Sequence, residues 1–137
     1  MIAVVDTGTP VALRRSISKV TPRSPQTARE WTRTQLTGLG YDPDLAELAV
    51  SELLTNVARY AAGSALIALA LTDDGIEVAC FDTHPETAAS VRPGSFDDDA
   101  MSGRGLFILA ALALDGVHVD TDPRRKRVAV RLPIGEN

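Results

Sequence analysis

The apolar residues of the chain change their spacing several times, and each change marks an expected element. From residue 24 to 39, apolar side chains recur three or four positions apart, which is the spacing of an amphipathic helix. Ser24 is the expected N-cap and Pro25 the first helical residue. Two glycines end this helix, and a second helix is expected over residues 42–62.

Shorter apolar runs predict five strands. Turn residues at 73–75 and 122–123 separate two pairs of these runs and therefore predict β-hairpins. The expected strands cover residues 14–20, 65–71, 76–82, 117–121 and 127–132. Short hairpin connections favour antiparallel pairing. The sequence therefore predicts a mixed, mainly antiparallel sheet with three helices on one face, which is a two-layer α/β sandwich.

The periodic pattern disappears between residues 83 and 101, a stretch rich in proline, serine, threonine and aspartate. Segments of this length inside a compact domain are typically lids, binding loops or disordered segments. A third helix is then expected from Gly103 to about Leu114. With a flexible lead over residues 1–13, the sequence predicts a single domain over residues 14–137.

Composition narrows the class of protein. The hydrophobic fraction of 45% and charged fraction of 23% are ordinary for a globular domain, and the net charge of −4 argues against a nucleic-acid binder. The basic run from Arg124 to Arg127 is expected to be a solvated hairpin end, and Cys80 a small buried residue. No signal peptide or membrane-length apolar run is evident, which predicts a cytoplasmic protein with no membrane partner.

The second expected helix carries polar groups on an otherwise apolar stripe. Glu52 and Asn56 share this stripe with Leu45 and Ala49. Burying such groups without partners costs about 1–3 kcal/mol, so the stripe either faces a polar ligand or ion, or lies on a wet flank of the helix. An amide oxygen suits Mg²⁺, and a carboxylate can accept the proton of an attacking hydroxyl.

Two further features carry chemistry. Asp82 closes an apolar strand, where it either initiates a turn or accepts a hydrogen bond from an exocyclic amine such as that of adenine. Gly103 and Gly105 flank Arg104. Glycines at a helix start let backbone amides approach phosphates, although glycine also serves simply to separate elements. Together with the polar stripe, these features indicate a nucleotide site.

Three segments, in this order, carry a family resemblance. VSELLTNVARY (residues 50–60), FDTHP (81–85) and SGRGLFIL (102–109) resemble the N box, D box and glycine box of the GHKL ATP-binding fold. The chain looks most like the anti-sigma factor serine/threonine kinases, a branch of these histidine kinase-like ATPase domains, over about residues 16–133. The resemblance implies a Bergerat-type α/β sandwich that binds ATP and Mg²⁺.

The resemblance also implies a role for each matching residue. It assigns Asn56 to Mg²⁺ and phosphate coordination, Glu52 to the general base and Asp82 to adenine recognition. Arg59 and Tyr60 stand one turn past Asn56, with Tyr60 in place of the branch's usual histidine. The residues expected to line the phosphates are Gly103, Arg104, Gly105 and Leu106.

Partners follow from the same resemblance. Members of the branch hold sigma factors and phosphorylate STAS-domain antagonists on serine or threonine. The chain is therefore expected to be an anti-sigma transcription regulator with kinase activity and no direct contact with nucleic acid. Related kinases often pair, so a homodimer through the edge of the first strand or the outer sheet face is also among the implied assemblies.

Two departures from the family pattern leave an alternative open. His84 stands where the D box has glycine, so an imidazole either crowds the purine or stacks on it. Arg125, Lys126 and Arg127 replace the Gly-Lys-Thr of the last strand pair, which removes a hydroxyl contact with adenine. The alternative is a regulatory module that keeps the fold, has little or no kinase activity and acts by partner binding alone.

Overall fold

A computed structural model describes residues 12–60, 63–82, 100–121 and 125–136. Predictions that fall on residues 1–11, on most of the long aperiodic stretch including His84, and on the 122–124 turn lie outside these residues. The elements are β1 (Ala12–Ile17), α1 (Ser24–Gly38), α2 (Asp44–Tyr60), β2 (Ala65–Thr72), β3 (Gly75–Asp82), α3 (Ala100–Leu112), β4 (Val117–Thr121) and β5 (Lys126–Leu132).

The five strands form one sheet in the order β1-β2-β3-β5-β4. Each of the four strand pairs in the described part of the chain is antiparallel, so the parallel pair that a mixed sheet would need does not occur there. The two predicted hairpins pair β2 with β3 and β4 with β5. The last strand therefore lies between β3 and β4, in the interior of the sheet.

The helices cover one face of this sheet, which confirms the two-layer sandwich. Alternation along the strands sends Ile67, Val78 and Val130 into the space between the layers, where each is less than 1% exposed. The apolar face of α2 packs against them with Val50 and Leu54. Among the described residues, no helix is both long enough and apolar enough to cross a membrane.

Several element boundaries differ from the sequence prediction. β1 begins at Ala12, inside the expected flexible lead, and ends at Ile17 instead of Val20. Ser24 is the first residue of α1 and not its N-cap, since its hydroxyl accepts the backbone N–H of Thr21 at 2.9 Å. The largest error concerns α3, which begins at Ala100 and therefore contains the glycine pair inside the helix.

Cys80 lies in the centre of β3 and is 2% exposed, which confirms the predicted buried thiol. Burial raises the pKa of Cys80 to about 12, and the nearby Asp82 carboxylate adds to this rise in the pKa while Lys126 lowers it. A thiol with such a high pKa contains almost no thiolate at neutral pH, and thiolate is the reactive form.

We therefore expect Cys80 to be inert in the folded protein. Addition of Ellman's reagent at pH 8 should titrate less than about a tenth of the thiol in an hour, and the full equivalent after unfolding in guanidinium. Rapid labelling without denaturant would contradict the placement of Cys80 in the core.

Candidate functional site

Helix α2 positions the two polar groups of the predicted N box. Its apolar residues Leu53 and Val57 turn into the core, which leaves Glu52 and Asn56 on the flank of the buried face. Asn56 is 5% exposed, and Glu52 is partly buried. Burial raises the pKa of Glu52 above its ordinary value of 4.5, because a carboxylate loses hydration when it leaves water.

Helix α3 approaches Glu52 through Gly105. A methyl group added to Gly105 would overlap the carboxyl carbon and both carboxyl oxygens of Glu52, so the carboxyl end of the Glu52 side chain would have to move. The predicted N box and glycine box thus come together in space. Their contact explains why Gly105 lies inside α3, where a glycine lowers helix stability by about 0.5–1 kcal/mol relative to alanine.

The third predicted site residue, Asp82, lies at the end of β3 and forms a buried ion pair. Its Oδ2 is 3.4 Å from Nζ of Lys126, and both side chains are 1% exposed. Strand register explains the pair, because Asp82 and Lys126 face each other directly across β3 and β5. Both side chains lie on the face of the sheet that α2 covers, together with the inward-facing valines of β5.

Lys126 is a functional candidate that was expected only as part of the basic run and of the Gly-Lys-Thr replacement. The sequence did contain a signal for it. Lys126 precedes the alternating core residues Val128, Val130 and Leu132 by two, four and six positions, so strand periodicity places it on the inner face. The inward-facing position of Lys126 was not expected from the sequence, because lysine is almost never fully buried unless it is paired.

The prediction of a solvated basic run is wrong for Lys126 and for Arg127. Arg127 points to the outer face of the sheet, where its Nη2 donates to Oε1 of Glu77 at 2.7 Å. The guanidinium groups of Arg125 and Arg127 also lie 4.9 and 5.6 Å from the centre of the Phe81 ring, on which they form cation–π contacts. Arg127 therefore lies on the opposite face of the sheet from Asp82, and the residue beside Asp82 is Lys126.

The remaining predicted residues are only partly described. Arg59 and Tyr60 belong to the last turn of α2, and Gly103, Arg104 and Leu106 belong to α3. The positions of their side chains lie outside the described part of the structure. The residues that the structure brings together are therefore Glu52 with Gly105, and Asp82 with Lys126.

Two concavities reach the described site residues. One, of about 450 Å³, lies at the strand ends and is lined by Asp82, Phe81 and Ser64, among others. The other, of about 350 Å³, lies between α1 and α2 and is lined by Glu52, Ser51 and Arg33, among others. The first concavity therefore reaches Asp82, whose side chain is 1% exposed, and the second reaches Glu52 along the helices.

The contact between Gly105 and Glu52 predicts a strong coupling between these positions. Gly105→Ala should destabilise the protein by about 0.5–1.5 kcal/mol, because the flexible carboxyl end of Glu52 must move to make room for the methyl group. In a Glu52→Ala background the same change should be neutral or stabilising by about 0.5–1 kcal/mol, because only helix propensity then remains. The free energies of unfolding in urea of the parent protein, the two single variants and the double variant measure this coupling.

Gly38→Ala is the matched control for that cycle. Gly38 is also helical, and a methyl group added there would meet nothing within 4 Å. Gly38→Ala should change the free energy of unfolding by the same amount in the parent protein and in Glu52→Ala. Additive effects of Gly105→Ala and Glu52→Ala would contradict the close approach.

The raised pKa of Glu52 predicts a pH-dependent stability. Because the folded protein holds this proton more tightly than the unfolded chain, ionisation of Glu52 costs stability as the pH rises through the pKa of the folded state. Glu52→Gln should therefore raise the melting temperature by about 1–3 °C at pH 8, with the gain disappearing towards pH 4.5. Circular dichroism melts between pH 4.5 and 8 measure it.

Glu47→Gln provides the contrast, because Glu47 is a carboxylate on the same helix. Glu47 is held by Arg33, with 2.5 Å between Nη2 and Oε2, so its neutralisation removes an attraction and should not stabilise. A Glu52→Gln variant that melts below the parent protein at pH 8 would show that the carboxylate is not paying a desolvation cost.

Comparison with known proteins identifies the family to which this fold belongs. The histidine kinase-like ATPase domain matches residues 19–132, which is most of the chain. No curated protein matches the sequence of this chain.

A solved structure supports the same fold. The RsbU and RsbW domains of Rv1364c from Mycobacterium tuberculosis match over 93% of this chain, with a TM-score of 0.66 and 17% identity. The chain spans 33% of the length of that solved protein, so the likeness concerns the fold of one domain. By the extent of the family match and this shared fold, the chain belongs to the histidine kinase-like ATPase domain family.

Proposed function

We propose that the chain is an ATP- and Mg²⁺-dependent anti-sigma regulator that phosphorylates a STAS-domain antagonist on serine or threonine and holds a sigma factor. Its membership of the histidine kinase-like ATPase family supports nucleotide binding. The shared fold with a protein that contains an RsbW domain supports a regulatory role of this kind. The proposal places the protein in the cytoplasm, where sigma factors act, and includes a homodimer as its assembly.

The observation that carries the proposal is the packing of the Glu52 carboxylate against Gly105 of α3. This contact places a partly buried carboxylate beside the helix that would receive the phosphates. Because burial raises the pKa of Glu52, its carboxylate has a higher proton affinity than an exposed one, which favours proton abstraction from a hydroxyl. In the proposed reaction, Glu52 accepts the proton of the attacking serine or threonine.

The residues present fit a magnesium–nucleotide complex. Asn56 supplies a neutral amide oxygen on a 5% exposed side chain, and Mg²⁺ commonly takes one or two protein oxygens and completes its shell with phosphates and water. The ion would neutralise charge on the transferred phosphoryl group. Asp82 would accept a hydrogen bond from the purine, and α3 would direct the positive end of its dipole at the phosphates.

One observation favours the alternative function. The Asp82 carboxylate already faces the Lys126 ammonium in a buried pair, so a purine amine must share that carboxylate. If it cannot share, the domain would bind nucleotide weakly and act by partner binding alone. Arg127 does not contribute to this alternative, because it lies on the outer face with Glu77.

Phosphate transfer from labelled ATP tests the proposal. With the STAS-domain protein encoded nearest to this chain as acceptor, Glu52→Ala should slow transfer by about 10²–10⁴-fold while ATP affinity changes little. Asn56→Ala should weaken ATP binding by about tenfold or more in the presence of Mg²⁺, as measured by calorimetry.

Glu77→Gln is the matched control, since it neutralises a carboxylate on the opposite face of the sheet. It should leave both transfer and ATP affinity unchanged. Undiminished transfer by Glu52→Ala would remove the assigned general base. Absence of binding heat with millimolar ATP and Mg²⁺ would favour the partner-binding module.

A further inference from the structure

One side of α3 is both apolar and exposed. The helix packs beside α2 and contacts β5, and its Leu109 enters the core. On its exposed side, Phe107, Ile108 and Leu112 are between 42% and 49% exposed. The segment 107–112 contains no polar residue, whereas the exposed face of a helix in a globular protein normally carries polar side chains. The composition of α3 is therefore typical of a helix that is covered on both sides.

The sheet has a free edge on the same side of the molecule. β4 is the last strand in the sheet order and pairs with β5 alone in the described part of the chain. Val119 of β4 belongs to the inner face, since it lies opposite the core residue Val128, yet it is 37% exposed. Because α2 lies on β2 and β3 and α3 lies beside it on β5, the exposed side of α3 is next to this edge. An unpaired strand edge can pair with another chain.

A second copy of the chain is complementary to this edge. Antiparallel pairing of β4 with its own copy overlaps all five residues when Val119 is the centre of a two-fold axis. This register places His118 opposite Asp120 of the copy, at two symmetric positions on the outer face. Opposite charges at directly opposed positions stabilise a strand pair by about 0.2–1 kcal/mol. Both side chains are available, because His118 is 50% and Asp120 75% exposed despite their contacts within the chain.

The same register brings the two copies of α3 together. Because directly opposed residues point to the same face, the helices of both copies lie on one side of a ten-stranded sheet. β5 and its copy are then three strand spacings apart, or about 14 Å. A helix with its side chains is about 10–12 Å across, so large side chains are needed to close the gap between the two helices. Phe107, Ile108 and Leu112 supply them, and burying their exposed halves contributes roughly 1 kcal/mol each.

The other two surfaces expected for a homodimer are less favourable. Pairing of β1 with its copy, with all helices on one face, overlaps most residues when Arg14 or Arg15 is the centre. Either centre places an arginine opposite its own copy, and like charges directly opposed are destabilising. The outer sheet face carries ion pairs, among them Glu77 with Arg127, which would lose hydration in an interface.

We infer that a second copy of this chain binds at the edge of β4 and the exposed side of α3, and that the resulting two-fold homodimer contains one continuous ten-stranded sheet. The inference rests on the homodimer included in the proposed function and names its surface. It does not depend on nucleotide binding or on phosphate transfer, so its test needs neither.

Sedimentation equilibrium of the parent protein and its variants tests the inference. The parent protein should sediment as a dimer of the 14.6 kDa chain. His118→Glu should raise the dissociation constant of the dimer by about tenfold or more, because it opposes two carboxylates at both symmetric positions. Addition of Asp120→Lys to His118→Glu should restore the dimer, since each position then regains opposite charges. Ile108→Glu should weaken the dimer by placing a carboxylate in the contact between helices.

Arg14→Glu is the matched control, because it reverses an exposed charge on the opposite edge strand. It should leave the dissociation constant of the dimer unchanged, and circular dichroism should show that each variant is folded. A dimer that His118→Glu leaves intact, that Arg14→Glu alters or that the double variant does not restore would overturn the inference while the proposed homodimer stands. A parent protein that is monomeric at about 100 µM would overturn both, whereas labelled ATP tests the kinase activity separately.

Discussion

The packing of α2 on the central strands is the constraint on which the candidate site depends. Leu53, Leu54 and Val57 fix the rotation of the helix by entering the core, and the positions of Glu52 and Asn56 follow from that rotation. Glu52 and Asn56 are buried because they share α2 with the apolar residues that pack into the core. This burial raises the pKa of the Glu52 carboxyl group.

The same packing explains why α3 needs a glycine. A side chain at position 105 would displace the carboxyl end of Glu52, so glycine lets α3 approach while that carboxylate keeps its position. Gly105 therefore joins the two helices at the point where the chemistry is proposed. The exposed residues of α3, such as Phe107 and Ile108, lie on its other sides, so the helix is apolar well beyond its buried face.

Much of the fold could be predicted from the sequence, because the spacing of apolar residues and the residue types of turns are visible in short segments of the chain. The β2–β3 hairpin follows from two apolar runs around an Asp-Asp-Gly turn, and α2 from apolar spacing over four turns. The start of α3 could not be located, because glycine is a poor helix former and here is retained for a contact with Glu52. The ion pair at Asp82 required the register between β3 and β5, which local pattern does not contain.

Strand order has a consequence for how the domain is made. β5 is last in sequence but lies between β3 and β4, so the middle of the sheet stays open until this final strand has left the ribosome. Until then both neighbouring strands present unpaired backbone groups, which are templates for pairing with other chains. Closure also buries the ammonium that begins β5 beside its carboxylate. The sheet therefore closes only once β5 has been synthesised, and an interruption of synthesis before β5 leaves this part of the domain prone to aggregation.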